Sequence, residues 1–167
     1  MRPVSARISI DAPREQVFEL LLDLSARPAF TDHFAHHFQL LREQPSGVGA
    51  GARFKARDVG GWLDSVIVES DPPHRLVERG RGGRLNRVPN VTEWVLTETP
   101  GPSGCEVEVT FWTEPSQPFD RLRDALNSER RLGRDLRRAL ERLRELAESG
   151  EAPERVVIAG GDRLAPI

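Results

Sequence analysis

Two hydrophobic periods, one at each end of the chain, constrain its fold more than any other feature. Near the start, Val4–Ile10 alternates apolar and polar residues, which is the period of a half-buried strand. From Phe119 to Glu148, apolar residues recur every three or four positions, as in a long amphipathic helix. We therefore predict an α+β fold in which a long C-terminal helix covers one face of a curved antiparallel sheet.

The segments between these ends predict two short helices and six further strands. Asp11 and Pro13 suit the start of a helix that runs to Leu22, with Asp11 accepting backbone N–H bonds. Residues 29–38 are expected to form a short second helix or an ordered loop. The predicted strands are Phe38–Glu43, Ala52–Val59, Trp62–Ser70, Arg75–Arg79, Val91–Glu98 and Cys105–Glu114.

Composition narrows the class of protein. The 167 residues suit one domain, and a net charge of −2 favours neither nucleic acid nor an anionic membrane as a partner. The single cysteine, Cys105, cannot form an internal disulfide. No apolar run approaches the roughly 20 residues that a membrane span needs. Because no signal peptide precedes the first strand, we expect a cytoplasmic protein.

Local motifs carry a family resemblance. They are the opening Ile8–Phe18, the turn Val48–Phe54, the break Glu69–Val77 and the closing helix Arg138–Glu148. With the order of elements, they resemble the START-related helix-grip superfamily, and within it the polyketide cyclase/dehydrase-like bacterial proteins. The resemblance covers residues 4–149 and implies a helix-grip fold, a curved antiparallel sheet of six to seven strands around the long C-terminal helix.

The resemblance is informative about fold but implies several functions, because the superfamily has no common catalytic motif. One hypothesis is the binding of a small hydrophobic molecule, lipid or polyketide-like, in a cavity between sheet and helix. The alternative is a polyketide cyclase, aromatase or dehydratase that works without a cofactor. A second alternative is a protein-interaction module with an exposed apolar patch. Each of these hypotheses is compatible with a homodimer.

Strand alternation selects the residues expected to face the cavity. On the last strand, Val107, Val109 and Phe111 share the apolar face, and Trp94 and Leu96 are the natural inward pair on its neighbour. Two interpretations remain, an ordinary packed core or the wall of an incompletely filled cavity. On the second, the expected ligand-binding residues are Phe30, Phe54, Trp94, Leu96, Phe111, Leu122 and Leu126.

Three ionisable residues are candidates for acid–base chemistry. Glu78 shares the strand parity of Leu76, so both should point inward, where a buried carboxylate could act as an acid or a base. Arg79 is the other residue that could point inward. His33 and His37 lie four residues apart, would share a helix face and could lie at the cavity mouth. No third ligand stands at a useful spacing, so we expect no metal.

Two further segments allow several interpretations. Residues 79–87 contain four arginines and three glycines, which suits a solvated hairpin loop or a flexible anion-binding lip. Residues 150–167 lie beyond the expected domain of residues 1–149. Their apolar run Val156–Ala159 suits a disordered tail, an added edge strand or an arm that reaches a partner subunit.

Overall fold

The computed structural model describes residues 2–57, 61–83, 87–99, 104–114 and 129–157. These residues form a curled antiparallel sheet with helices against one side, which confirms the predicted helix-grip fold. The elements are β1 (Val4–Ile10), α1 (Arg14–Leu22), α2 (Pro28–Thr31), β2 (Ala35–Leu40), β3 (Gly51–Ala56), β4 (Trp62–Asp71), β5 (Arg75–Gly82), β6 (Val88–Glu98), β7 (Cys105–Thr113) and α3 (Glu129–Ser149).

The seven strands lie in the order β1-β7-β6-β5-β4-β3-β2. Strands β2 to β6 each pair with the next strand along the chain, as hairpin connections require. Strand β1 instead pairs with the last strand, with Val4 opposite Phe111 and Ile10 opposite Cys105. This pairing brings the two ends of the domain together, and it places β1 beside the C-terminal helix.

The core lies on the inner face of the sheet, which we define as the side that the helices cover. Helix α3 crosses β1, with Gly133 beside Val4 at one end and Glu148 beside Asp11 at the other. Its spacing of three and four residues buries a single stripe, because such residues share one helix face. The buried residues of that stripe are Gly133, Leu136, Ala139, Leu140, Leu143 and Ala147. The predicted first part of this helix, Phe119 to residue 128, lies outside the described residues.

The start of α1 differs from the prediction. Pro13 occupies the position before the helix, and within the described residues no side-chain hydrogen bond caps it. The Asp11 N–H instead donates to Glu148 Oε1 at 2.9 Å. Asp11 therefore attaches the start of α1 to the end of α3, and the prediction that its carboxylate caps the helix is wrong.

Strand β2 begins earlier than the sequence predicts. Ala35 and His36 pair with Ala56 and Lys55 of β3, and a bulge follows before Gln39. The predicted short second helix is present as α2, and only the later part of the segment, from Ala35, is strand, because β3 offers it a free edge. None of the described helices is long and apolar enough to cross a membrane.

The glycine-rich segment is strand rather than loop through residue 82. Strand β5 continues past Arg79 and pairs with β6 as far as Gly82, opposite Val88. A side chain at Gly80 would overlap the carbonyl oxygen of Asp64, so glycine allows β4 to approach β5 closely there. The hairpin-loop interpretation is wrong for residues 79–82. Residues 84–86 lie outside the described residues.

The segment after α3 contacts the turn between α1 and α2. The Val156 N–H donates to the carbonyl oxygen of Ser25 at 2.9 Å, and Arg155 Nε donates to Asp23 Oδ2 at 3.0 Å. Val157 is 68% exposed. These bonds connect the C-terminal extension to its own domain as far as Val156. The rest of the predicted apolar run, residues 158–159, lies outside the described residues.

Candidate functional site

A buried ion pair on the inner face is the main polar feature of the core. Arg27 Nη2 lies 2.8 Å from Glu78 Oε1, and the two side chains are only 8% and 5% exposed. Charged groups are costly to remove from water unless they are paired and hydrogen-bonded, so this pair is held in place by its surroundings.

Two neutral donors complete the environment of the Glu78 carboxylate. Trp94 Nε1 donates to Glu78 Oε1 at 3.0 Å, and Ser65 Oγ donates to Oε2 at 2.6 Å. Strand register explains why Trp94 reaches Glu78. Trp94 lies on β6 opposite Leu76, which is the inward neighbour of Glu78 on β5. The carboxylate therefore accepts from three side chains on three parts of the chain.

Arg27 is fixed by aromatic and backbone contacts as well. Its Nη2 also donates to the carbonyl oxygen of Leu21 at 2.8 Å. Its guanidinium carbon lies 5.1 Å from the ring centre of Trp94 and 5.6 Å from that of Phe30. These two rings meet edge to face, with centres 6.5 Å apart. Such cation–π contacts stabilise a desolvated guanidinium.

Sequence reasoning identified Glu78 and missed both Arg27 and Ser65. The inward direction of Glu78 follows from its parity with Leu76, and the structure shows it, with Arg79 exposed on the other side. Arg27 lies in the turn after α1, where no hydrophobic period indicates which way a side chain points. The one available signal was a charged residue within an apolar stretch, Ala26 to Phe30. Ser65 could have been selected because it has the parity of the buried Leu63 and Ile67.

The predicted ligand-binding residues fall into two groups. Phe30, Trp94 and Leu96 are buried at 3% exposure or less and pack in the core. Phe54 and Phe111 keep part of their surface exposed. Leu122 and Leu126 lie outside the described residues.

Three partly exposed aromatic residues of the inner face define what we call its aromatic end, namely Phe38, Phe54 and Phe111. Phe38 and Phe54 stack nearly parallel, with ring centres 5.9 Å apart. Phe111 lies on β7 in the row that crosses Thr92 to Glu78. Well-packed cores leave little aromatic surface unfilled, so a partly exposed aromatic group on an inward face suits contact with an apolar molecule.

The histidines do not form the arrangement that their spacing suggests. His33 follows α2, whereas His37 lies in β2 with a left-handed backbone, φ 54°, so the two share no helix face. Strand pairing with β3 draws residues 35–40 into the sheet, which explains the difference. The His37 ring is near Trp62, with centres 6.5 Å apart. Among the described residues, no group of three or more His, Cys, Asp or Glu could hold a metal.

His33 instead joins α2 to α3. Its Nε2 lies 3.0 Å from the Asp135 carbonyl oxygen, and Asp32 beside it forms an ion pair with Arg142. Burial lowers the pKa of His33, and the hydrogen bond from Arg142 lowers the pKa of Asp32. These contacts fasten the helix over the sheet, and the neutral ring acts as a donor to the carbonyl.

An open groove lies at the opposite end of α3 from the aromatic end. It encloses about 500 Å³ beside the end of β1, and its lining includes Ile10, Asp11, Thr99, Arg144, Glu145 and Glu148. Its charged residues, Asp11, Arg144, Glu145 and Glu148, suit polar contacts and solvent.

Fold and site together define a member of the START-related helix-grip superfamily. Residues 1–148 match the family described as "Polyketide cyclase / dehydrase and lipid transport", and the chain belongs to that family. No curated protein matches this sequence.

Solved structures share the fold at low sequence identity. A START superfamily protein from Mycobacterium smegmatis gives a TM-score of 0.64 at 13% identity, covering 89% of this chain and 99% of that one. A protein from Thermus thermophilus gives 0.65 at 20% identity, covering 90% and 99%. Norcoclaurine synthase from Thalictrum flavum, solved with dopamine and hydroxybenzaldehyde, gives 0.67 at 12% identity, covering 90% and 88%.

Proposed function

We propose that this protein binds a small hydrophobic molecule, lipid-like or polyketide-like, against the aromatic end of the inner face. The observation that carries the proposal is the partial exposure of Phe38, Phe54 and Phe111 on the side of the sheet that elsewhere forms the core. Apolar area that a ligand covers contributes roughly 25 cal/mol per Å², so even a few aromatic faces give useful affinity. The family description, which joins cyclases with lipid transport, supports the same class of ligand.

The buried ion pair has a structural role in this proposal. Arg27 and Glu78 hold Trp94 and Phe30 in fixed positions at the back of the binding surface. A rigid wall reduces the ordering cost of binding, because the side chains are already placed before the ligand arrives.

A cofactor-free cyclase or dehydratase is the second candidate, and one observation favours it. Glu78 is an ionisable group on the inner face, close to where the ligand would lie. However, Arg27, Ser65 and Trp94 already donate to its two oxygens, so proton transfer to a substrate would compete with these donors. This occupancy favours binding over acid–base catalysis.

Native mass spectrometry of the protein purified from its own host tests the binding function. We expect a retained species of a few hundred daltons that is lost when the protein is denatured, and its extract should be apolar. A protein that carries nothing, and that also fails to bind the uncharged fluorophore N-phenylnaphthylamine, would overturn the proposal.

Comparison of the wild type with one variant separates carrier from enzyme once a ligand is known. Glu78→Gln keeps the shape of the side chain and removes its capacity to take up a proton. If the protein is a carrier, neither the wild type nor a folded Glu78→Gln should convert the ligand. Conversion of the ligand by the wild type and its loss in Glu78→Gln would establish the enzyme instead.

A further inference from the structure

One polar side chain lies between the aromatic groups on the inner face. Asn90 lies on β6 opposite Gly80 of β5 and Thr113 of β7. The adjacent row on one side contains Phe111. The adjacent row on the other side contains Gly82, whose missing side chain leaves room that Leu63 fills. The register therefore places the Asn90 amide within the surface that we propose binds the ligand.

The Asn90 amide is buried and has an unused donor. The residue is 5% exposed, and its Nδ2 has no hydrogen-bond partner among the described residues. Gly80, directly opposite, offers no side chain, and neither does Gly82, where an added methyl group would lie 3.7 Å from the Asn90 Nδ2. A buried amide without a partner is costly, and such groups are rare in folded proteins.

The missing partner must be an acceptor that reaches an apolar surface. A neutral acceptor fits better than an anion, because Arg27, a cation on this face, is already neutralised by Glu78. A carbonyl oxygen on an otherwise hydrophobic molecule has the required chemistry. It accepts one hydrogen bond from an amide N–H while its carbon skeleton covers the aromatic rings.

We propose that Asn90 is a specificity-determining residue, and that its side-chain amide donates a hydrogen bond to a carbonyl oxygen of the bound hydrophobic ligand. This inference rests on the proposed function and narrows it from hydrophobic molecules in general to those that carry a ketone, ester or amide carbonyl at the aromatic end. Sites built to hydrogen-bond one group of a ligand disfavour an analogue that lacks it, because the polar group of the protein is then left unpaired.

Two probes of nearly equal shape test the inference. Acetylnaphthalene carries a ketone, and ethylnaphthalene replaces the carbonyl by a methylene group. Titration of the wild type by calorimetry should show acetylnaphthalene binding about 2- to 10-fold more tightly, the range that one net hydrogen bond gives. In Asn90→Leu this preference should disappear or reverse, while ethylnaphthalene binds at least as well as before. Asn90→Asp, which replaces the donor by an acceptor, should also lose the preference.

A second measurement on the ligand-free protein guards against a purely structural role. If the Nδ2 has no partner within the protein, Asn90→Leu should keep or raise the melting temperature. A lower melting temperature together with an unchanged preference for the ketone would overturn the role of Asn90 and leave the binding function standing. Failure of the wild type to bind either probe would overturn the binding function, and this inference with it.

Discussion

Arg27 and Glu78 form an ion pair that joins the turn after α1 to the fifth strand of the sheet. Their nitrogen and oxygen are 2.8 Å apart, and both side chains are almost wholly buried. The pair lies behind Trp94 and Phe30, so it connects the stability of the fold to the shape of the proposed binding surface.

Breaking the pair by changing one partner should strongly destabilise the protein. Glu78→Gln leaves a buried guanidinium without its counter-charge, and the expected loss is about 3–5 kcal/mol in the free energy of unfolding. The double variant Arg27→Met with Glu78→Leu removes both charges. Its loss in the free energy of unfolding should be far smaller than the summed losses of Arg27→Met and Glu78→Leu alone. Urea denaturation at pH 7 measures all of these values.

An exposed ion pair provides the control for that cycle. Arg7 and Glu108 lie 3.3 Å apart with side chains 62% and 35% exposed. Glu108→Gln should change the free energy of unfolding by less than about 1 kcal/mol, because water screens such pairs. Equal losses for Glu108→Gln and Glu78→Gln would show that burial does not strengthen the inner pair.

The contact between His33 and α3 predicts lower stability in mild acid. Burial lowers the pKa of His33, with Arg138 and Arg142 adding to the effect and Asp135 opposing it. The folded protein therefore resists protonation while the unfolded chain takes up a proton near the usual value of 6.5, so stability falls as the pH drops below about 6.5. Urea denaturation from pH 7 to pH 5 should show this slope, and His33→Gln should reduce it.

Asp32 beside it contributes in a lower range. Its pKa is lowered from the usual value of 3.8, chiefly by the hydrogen bond from Arg142, so its contribution to stability is present above that value and disappears as the pH falls through its folded-state pKa.

His36→Gln, at an edge-strand histidine nearby, is the matched control for His33→Gln and should leave the slope between pH 7 and pH 5 in place. Loss of the slope in His36→Gln, but not in His33→Gln, would contradict the assignment.

The same substitution at two glycines should act in opposite directions. Gly80→Ala would force a side chain into the backbone of Asp64, so we expect a loss of at least about 3 kcal/mol or failure to fold. At Gly133, inside α3, an added methyl group would lie 3.6 Å from Val4 Cγ1, an ordinary contact. Gly133→Ala should therefore stabilise by about 0.5–1 kcal/mol, because alanine favours the helix.

Thermal and urea unfolding of the two variants measure the difference. A tolerated Gly80→Ala would show that β4 does not press on β5 at this position. A destabilising Gly133→Ala would show that the contact between α3 and β1 is already filled.

The sequence predicted the fold well because period and turn chemistry are local. Alternation in β1 and β7 and the stripe on α3 each follow from neighbouring residues, and the inward direction of Glu78 follows from the parity of Leu76. The partners of Glu78 could not be predicted. Arg27 comes from a turn where side-chain direction depends on the packing of α1 and α2 against the sheet.

The errors in the bounds of β5 and β2 also come from contacts that form only in the folded chain. The extension of β5 through Gly80 depends on how closely β4 approaches, and the early start of β2 depends on the free edge of β3. Both are contacts between separate parts of the chain. The unpaired side-chain donor of Asn90 could not be predicted from the sequence either, because the groups around an asparagine are known only once the strand register is known.

Two adjacent residues on β7 face opposite sides of the sheet, and a comparison of their variants tests whether the inner face binds the ligand. Phe111 belongs to the aromatic end of the inner face, whereas the Trp112 side chain donates to Glu114 on the outer side. Fluorescence titration gives the affinity for N-phenylnaphthylamine in each variant. If this apolar probe binds at the inner face, Phe111→Ala should lower its affinity about tenfold, because much of one aromatic contact is lost. Trp112→Ala should leave the affinity unchanged. Equal affinities in Phe111→Ala and the wild type, or a loss confined to Trp112→Ala, would contradict a binding site on the inner face.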